Sequence, residues 1–323
     1  MRTMRLTQEG VVFLIALVLF VGFAITLTDF VSPGNLMTLL RSVAILGILG
    51  LGMGLVVVGR GIDLSMVAVM VVAVSWAIVI GQTEIGFATG IAAGLAFCVL
   101  TGLVVGVLVA YAEVPAIFTT LAMGSIVYGI GRSLFFTLDV QNVPPGNEWF
   151  AFLGRGTILG IPMAIIAFGI VAAVLHLVLR KTRFGRFIYA SGDNPQAARI
   201  AGLPYRPLLV TQYVVSSCIA YVAGLVMAAS VSGMNTRIFN STMIYDVLLV
   251  VVLGGIGLAG GRGGVRNVIV GTLLVGVLLN GMTIMNISLT YQNLIKSVIL
   301  LMAILIDTLL NPRDEQTSQQ GDI

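Results

Sequence analysis

The run VVFLIALVLFVGFAITL occupies residues 11–27 and contains no charged side chain. Similar apolar stretches repeat along the chain up to residue 310, each close to the ~20 residues that an α-helix needs to cross a bilayer. Of the 323 residues, 58% are hydrophobic and 9% are charged, whereas about a quarter of the residues of a soluble protein are charged. The sequence therefore predicts an all-α, polytopic membrane protein. A transmembrane β-barrel would instead show short, alternating strands.

The first run follows Arg2 and Arg5, so a signal peptide is one possible interpretation. The run is long for the apolar core of a signal peptide, and no clear pair of small residues for cleavage follows it. We therefore interpret it as an uncleaved first span. The two cysteines, Cys98 and Cys218, lie inside apolar runs and are predicted to be packing residues.

We predict about ten membrane segments within a single transmembrane domain that covers residues 1–323. The third and the eighth are short or interrupted by glycine, which predicts broken or re-entrant helices. The predicted ranges are 11–29, 36–58, 63–80, 86–111, 115–137, 158–179, 208–232, 244–258, 264–285 and 290–310.

The distribution of arginine and lysine predicts the orientation of these segments, because cytoplasmic loops carry an excess of both. With the N-terminus inside, twelve cations fall on the cytoplasmic side, and only Arg155 and Arg237 fall in outer loops. The cytoplasmic parts are then an N-terminal tail (1–10), a long basic loop (180–207), a C-terminal tail (311–323) and three shorter turns. The net charge of +4 is explained by this bias, so no nucleic-acid partner is expected. The cytoplasmic cations are Arg2, Arg5, Arg60, Arg180, Lys181, Arg183, Arg186, Arg199, Arg206, Arg262, Arg266 and Arg313.

Several side chains near the ends of the segments carry separate expectations. In the outer loop 138–157, Trp149 and Phe150 are predicted to lie at the level of the lipid headgroups. Arg132 and Lys296 fall inside predicted spans, and Lys296 is expected to extend towards the membrane surface. For Asp246, a partner on a neighbouring helix is the favoured interpretation.

The basic loop contains the signature of a short helix. Asn194 is a suitable N-cap, Pro195 suits the first helical position, and Gly202 is a suitable residue just past the end. A helix over 195–201 places Ala197, Ile200 and Ala201 on one small apolar face. Ala198 and Arg199 lie in the same helix but outside that face. So short a helix is marginal alone in water, so we expect something to pack on it. From spacing alone, a basic segment lying on anionic lipid headgroups is the favoured interpretation.

Three stretches together resemble ABC-transporter permeases of the ribose and simple-sugar type, a family that also includes branched-chain amino acid permeases. GDNPQAARIAGLPY (192–205) is similar to the cytoplasmic coupling segment of that family. VVVGRGIDLSMVAVM (56–70) resembles its G-G-I-D-L-S-V-G motif, and residues 251–282 resemble its glycine-rich late segment. The chain departs from the family at Arg60, where glycine is usual, and at Met66 and Val67, where Val-Gly is usual.

The resemblance implies a type II ABC importer fold and a function in sugar uptake. In the family, the short cytoplasmic helix docks in a groove of a separate ATPase subunit and passes ATP-driven closure to the spans. The implied coupling residues are Asn194, Pro195, Ala197, Ala198, Arg199, Ile200, Ala201 and Gly202. The residues that we expect to line or support the transport pathway are Gly59, Gly61, Asp63, Leu64, Ser65, Gly254, Gly255, Gly260 and Gly261.

The resemblance also implies several partners in a bacterial inner membrane: ABC ATPase subunits, a periplasmic sugar-binding protein and a second permease copy. ATP and magnesium would be bound by the ATPase, because this chain has no Gly-Lys pair and hence no phosphate-binding P-loop. No cofactor, metal site or catalytic cluster is predicted for the chain itself. Two rivals remain open: a branched-chain amino acid permease of the same family, and a stand-alone secondary transporter driven by H⁺ or Na⁺. A membrane-embedded enzyme is disfavoured, because the chain has a single histidine and no nucleophile motif.

Overall fold

The computed structural model describes residues 8–310, which form thirteen α-helices. Ten of them coincide with the ten predicted membrane segments, and the other three (α6, α8 and α9) lie between segments. Residues 1–7 and 311–323, which hold most of the two predicted tails, lie outside the described residues. In chain order the helices are α1 (Gln8–Thr26), α2 (Pro33–Val58), α3 (Met66–Gly81), α4 (Phe87–Ala110), α5 (Ala116–Ile130), α6 (Glu148–Arg155), α7 (Met163–Lys181), α8 (Arg183–Asp193), α9 (Pro195–Ile200), α10 (Tyr205–Val231), α11 (Met243–Leu253), α12 (Val265–Ile284) and α13 (Leu289–Leu310).

The short third and eighth segments are confirmed. Eight of the described helices are long and apolar enough to cross a membrane, with α5 counted together with the π-helical turn that extends it to Phe135, whereas α3 has 16 residues and α11 has 11. At 1.5 Å per residue, α11 is about 16 Å long, roughly half of the hydrocarbon thickness. The loop before α3 and the loop after α11 therefore occupy positions along the membrane normal that a full-length helix would otherwise fill. Polar side chains must then bond the backbone groups of these loops.

The centre of the bundle is formed by α2 and α3. Every residue from Val43 to Val58 is buried, as is every residue from Met66 to Ser75. A helix that is apolar on all sides and buried on all sides belongs to the interior. Around this pair lie α10, α4, α7, α11 and α12, while α1 packs on the outside of α12.

Close approach between α4 and its neighbours depends on small residues spaced four apart. The series is Gly90, Gly94, Cys98, Gly102 and Gly106, and all five are buried. A Cβ added at Gly102 or Gly106 would lie 2.6 Å from a backbone Cα of α10. Small residues at this spacing let membrane helices pack backbone to backbone. The packing role predicted for Cys98 is therefore confirmed.

The loops divide between the two ends of the bundle as the charge pattern predicts. At one end, Arg206 forms an ion pair with Glu113 at 3.0 Å, which joins the basic loop to the turn between α4 and α5. At the other end, the Gln82 side chain donates a hydrogen bond to the carbonyl of Asn142 at 2.9 Å. The assignment of the first end to the cytoplasm remains a prediction from the charges.

The second end carries the small amount of β-structure. Strand β1 (Val140–Asn142) pairs antiparallel with β4 (Gly233–Asn235), and β2 (Thr157–Ile158) pairs with β3 (Ile161–Pro162). A π-helical turn (Gly131–Phe135) follows α5, and a 3-10 turn (Thr236–Asn240) follows β4.

Two expectations about side-chain placement are wrong. Phe150 is buried and packs edge-on against Phe87, because α6 folds this part of the loop onto the bundle; Trp149 is half exposed. Lys296 does not extend to the surface but forms an ion pair with Asp246 at 2.7 Å, which supplies the interhelical partner predicted for that carboxylate. Arg132 lies on the π-helical turn, within the apolar stretch Ala116–Phe135 as predicted, and forms an ion pair with Asp139 at 3.2 Å.

Candidate functional site

The basic loop folds as two helices, α8 and α9, joined at Asn194. The sequence argument predicted only the second. Helix α8 begins at a Thr182 N-cap, whose hydroxyl accepts a hydrogen bond from the Gly185 amide at 3.2 Å. Its buried positions, Gly185, Ile188, Ser191 and Gly192, follow a helical period. The helical period and the threonine cap are both present in the sequence. Because the segment contains many cations, it was interpreted only as a basic loop.

Helix α9 forms as predicted, with its end one residue earlier. The Asn194 side chain accepts a hydrogen bond from the Ala197 amide at 2.9 Å, and Pro195 occupies the first turn. Gly202 has φ +75°, and the following Leu203 amide donates to the carbonyl of Ala198 at 3.0 Å. This left-handed residue past the helix end satisfies carbonyls that the helix itself leaves without partners.

The apolar face of α9 points away from the chain. Ile200 is 88% exposed, and Ala197 and Ala201 are also exposed, whereas Ala198 is buried at 4%. Within residues 8–310, therefore, no part of the chain covers the face on which we expect something to pack. Ala198 instead anchors the helix to the protein.

Two arginines beside α9 are held by aromatic rings. The Arg199 guanidinium lies 4.5 Å from the ring centroid of Tyr205, and that of Arg206 lies 5.5 Å from the ring of Tyr111. Cation–π contacts of this kind limit the motion of the side chains. Together with Leu203 and Pro207, these residues line an open cavity of about 390 Å³ next to the helix.

The loop between α2 and α3 (residues 59–65) is built around Asp63. The carboxylate is buried and accepts hydrogen bonds from the Ser65 amide (3.1 Å), the Ser65 hydroxyl (2.6 Å) and the Ser216 hydroxyl on α10 (2.8 Å). Buried carboxylates need such donors. Asp63 therefore fixes the start of α3 to α10, and Leu64 beside it stays partly exposed.

Glycines 59 and 61 let this loop lie directly against α10. A Cβ at Gly59 would meet the Gln212 side chain at 2.1 Å, and one at Gly61 would meet the Tyr213 hydroxyl at 2.7 Å. Any larger residue at either position would displace these two buried side chains. No local pattern in the sequence indicates that Ser216, Gln212 or Tyr213 contacts this loop.

The loop between α11 and α12 (residues 254–264) turns through four glycines with positive φ: Gly255, Gly260, Gly261 and Gly263. Only glycine adopts this conformation at little cost. Its first residue, Gly254, packs on α12, where the Asn267 side chain donates to the carbonyl of Gly254 at 2.8 Å. This bond satisfies a backbone group that the early end of α11 exposes.

All three predicted stretches meet at one place, which we call the junction and define as residues 58–61, 189–194 and 260–263. The Gly261 amide donates to the carbonyl of Val58 at 2.8 Å, which joins the two glycine loops. A Cβ added at Gly192 would lie 2.0 Å from that same carbonyl oxygen, so α8 contacts both loops through a bare backbone. The Tyr189 hydroxyl donates to the carbonyl of Gly263 at 2.8 Å. Helix α8 thus connects the exposed helix α9 to both loops.

The Tyr189 phenol takes part in the junction as an uncharged donor. Partial burial raises the pKa of the Tyr189 phenol above its ordinary value, while Arg180 acts in the opposite direction. The hydroxyl therefore stays protonated at neutral pH and can donate its hydrogen bond. Among the described residues, no group of three His, Cys, Asp or Glu side chains could hold a metal ion.

Comparison with known proteins identifies the family of this chain. Residues 35–305 match the family described as "Branched-chain amino acid transport system / permease component". This chain belongs to that permease family. It is a multi-pass membrane protein and a transport component rather than an enzyme.

Three of the similar proteins are permeases named for a sugar. The chain is 32% identical to the ribose import permease protein RbsC of Escherichia coli K12 over 302 residues, which cover 91% of this chain and 92% of the relative. It is 33% identical to the L-arabinose ABC transporter permease protein AraH of Azospirillum brasilense, covering 94% and 88%. It is 32% identical to the fructose import permease protein FrcC of Rhizobium meliloti, covering 91% and 84%. No solved structure matches.

Proposed function

We propose that this chain is the transmembrane permease subunit of an ATP-driven importer of a monosaccharide or a related small polyol. The observation that carries the proposal is that helix α9 exposes its apolar face, while the adjoining helix α8 packs against both glycine loops. A partner that grips α9 would act on both loops at once. The three relatives named for ribose, arabinose and fructose support the class of substrate.

The proposed partner at α9 is an ABC ATPase subunit, which binds ATP and magnesium and carries out the hydrolysis. Its groove would receive Ile200, Ala197 and Ala201, and acidic side chains at the rim would meet Arg199 and Arg206. Movement of the ATPase would displace α8 and α9 as a unit, and the junction would pass that displacement to the starts of α3 and α12. The pathway would then open alternately to the two sides.

The remaining assembly follows from the same proposal. Two permease copies form the pathway, and a periplasmic binding protein delivers the sugar to the outer end. The complex lies in the bacterial inner membrane with both termini in the cytoplasm. Selectivity for the sugar would depend on the binding protein rather than on a tight site in the permease. A tight sugar affinity measured on the isolated permease would argue against that last point.

The test is co-purification with the ATPase encoded for this transporter. Ile200→Glu places a charge at the centre of the proposed contact, and a central contact residue typically contributes roughly 2 kcal/mol or more, about thirtyfold in binding. Leu159→Glu is the matched control, since Leu159 is 97% exposed at the opposite end of the bundle. We expect loss of the ATPase with Ile200→Glu only. Equal recovery of the ATPase with both variants would contradict this contact and would favour the alternative that α9 lies on lipid headgroups.

The family description favours one second candidate, import of a branched-chain amino acid. The same complex distinguishes the two. Uptake in proteoliposomes with each class of binding protein is expected for ribose, L-arabinose or fructose and not for leucine. ATP-driven leucine uptake would favour the second candidate.

A further inference from the structure

Arg60 has an unusual backbone for a large side chain. Its φ is +68°, in the left-handed region, where a residue with a Cβ is disfavoured and glycine is not. The chain therefore accepts a strained backbone at Arg60, and the contacts of the arginine side chain stabilise this conformation.

The guanidinium of Arg60 binds the end of α8. Its Nε donates to the carbonyl of Gly192 at 2.6 Å, and its Nη2 donates to the carbonyl of Asp193 at 2.8 Å. The last carbonyls of a helix have no partners within the helix, and a cation is favourable at that end. The next residue, Asn194, is the N-cap of α9, so Arg60 holds the corner between the two helices.

The glycine loop after α11 is shaped around this side chain. A Cβ added at Gly260 would lie 2.4 Å from Cγ of Arg60, and one at Gly261 would lie 2.7 Å from Cα of Asp193. Glycines at both positions leave the space through which the arginine reaches α8. Arg60 is thus the side chain that ties the α8–α9 corner to the loop preceding α3, while the glycine loop encloses it.

We propose that Arg60 is a positioning residue that transmits the movement of α8 and α9 to the loop 59–65. This inference rests on the proposed function, and Arg60 need not contact the substrate. A planar guanidinium bonds two carbonyls in a fixed geometry, whereas the single ammonium of lysine is a flexible point charge. Glycine at this position would relax the backbone and remove the link.

The test measures how the nucleotide state of the ATPase affects the loop. A reporter cysteine replaces the partly exposed Leu64 in a chain that also carries Cys98→Ala and Cys218→Ala. Its rate of labelling by a maleimide is measured in the purified complex, without nucleotide and after trapping with ATP and vanadate. The variants are Arg60→Gly, Arg60→Lys and, as a control that removes an exposed charge from the same end, Arg266→Gln.

We expect trapping to change the labelling rate in the parent and in Arg266→Gln. In Arg60→Gly, the change in labelling rate that trapping causes, expressed as the ratio of the two rates, should be smaller than in the parent by roughly fivefold or more. Fivefold is the lower range for coupling between distant sites. Co-purification of the ATPase and its hydrolysis of ATP should be retained. Arg60→Lys should show a partial loss.

An unchanged ratio in Arg60→Gly, with the ATPase bound, overturns the role of Arg60 and leaves the proposed function intact. Failure of the parent chain to bind the ATPase overturns both. If Arg60→Gly does not fold, Arg60→Lys decides: a reduced ratio supports the transmission role, and a ratio equal to the parent's shows that Arg60 is only structural.

Discussion

Replacing Gly192 by alanine tests whether the junction is packed as tightly as its geometry indicates. Gly192 lies within α8 and has a helical backbone, so alanine meets no conformational strain there. In an open helix the change would be favourable by about 1 kcal/mol. The added Cβ, however, would lie 2.0 Å from the carbonyl oxygen of Val58 and 2.7 Å from the amide nitrogen of Gly261. Both are backbone atoms, which cannot rotate away as a flexible side chain would.

The expected loss combines two effects. Overpacking at a tight site costs about 1–3 kcal/mol. Separating the Gly261 amide from the Val58 carbonyl, now 2.8 Å apart, removes a hydrogen bond that contributes about 1 kcal/mol. After the gain in helix propensity is subtracted, a net destabilisation of about 1–3 kcal/mol remains. For a chain of this size, that lowers the unfolding temperature by roughly 1.5–4.5 °C.

The assay is thermal unfolding of the detergent-purified protein, with Gly169→Ala as the matched control. Gly169 lies within α7, and a Cβ added there meets nothing within 4 Å. We expect the control to unfold at the parent's temperature or slightly above it. If Gly192→Ala and Gly169→Ala unfolded within a degree of each other, α8 would not be packed directly on the two loops, and the junction would be refuted.

Three further changes probe the surrounding structure. Lys296→Met leaves the Asp246 carboxylate buried without its cation and should cost about 3–5 kcal/mol in unfolding experiments, whereas the double change with Asp246→Leu should recover most of the loss. Asn194→Ala removes the cap of α9 and about 1 kcal/mol of its stability; hydrogen exchange should rise at α9 and stay unchanged in α7. Asp63→Leu leaves two buried serine hydroxyls without their acceptor, so ATP-driven uptake and thermal stability should both fall, whereas unchanged values would contradict the anchoring role.

The membrane segments were predictable because each is a long apolar run with a clear break. The two short segments were also predictable, since glycine and an aspartate interrupt their patterns. The sequence cannot reveal which side chain satisfies each interruption. Ser216 binds Asp63 from a helix that starts about 140 residues later in the chain, and no local pattern links the two. Phe150 was misplaced for the same reason, because α6 folds onto a surface that the loop sequence does not specify.

The candidate site was predictable in its parts but not in its assembly. The cap and stop signals of α9 are local, so Asn194 and Gly202 were assigned correctly as structural features. The functional roles given to the two glycine loops remain predictions. Arg60 was noticed only as a departure from a motif. Its contact with α8, more than 130 positions away in the chain, required the three-dimensional structure.

The segments at the two glycine loops also resemble each other weakly in sequence. Val56-Val57-Val58 followed by Gly61 and Ile62 parallels Val250-Val251-Val252 followed by Gly255 and Ile256. The Gly261–Val58 hydrogen bond places both copies at the same end of the bundle, as the charges predicted, so they are not related by inversion across the membrane. Each copy lies at the end of one helix and precedes the start of the next. Under the proposed function, a single displacement of α8 would act on both chain breaks and would move α3 and α12 together.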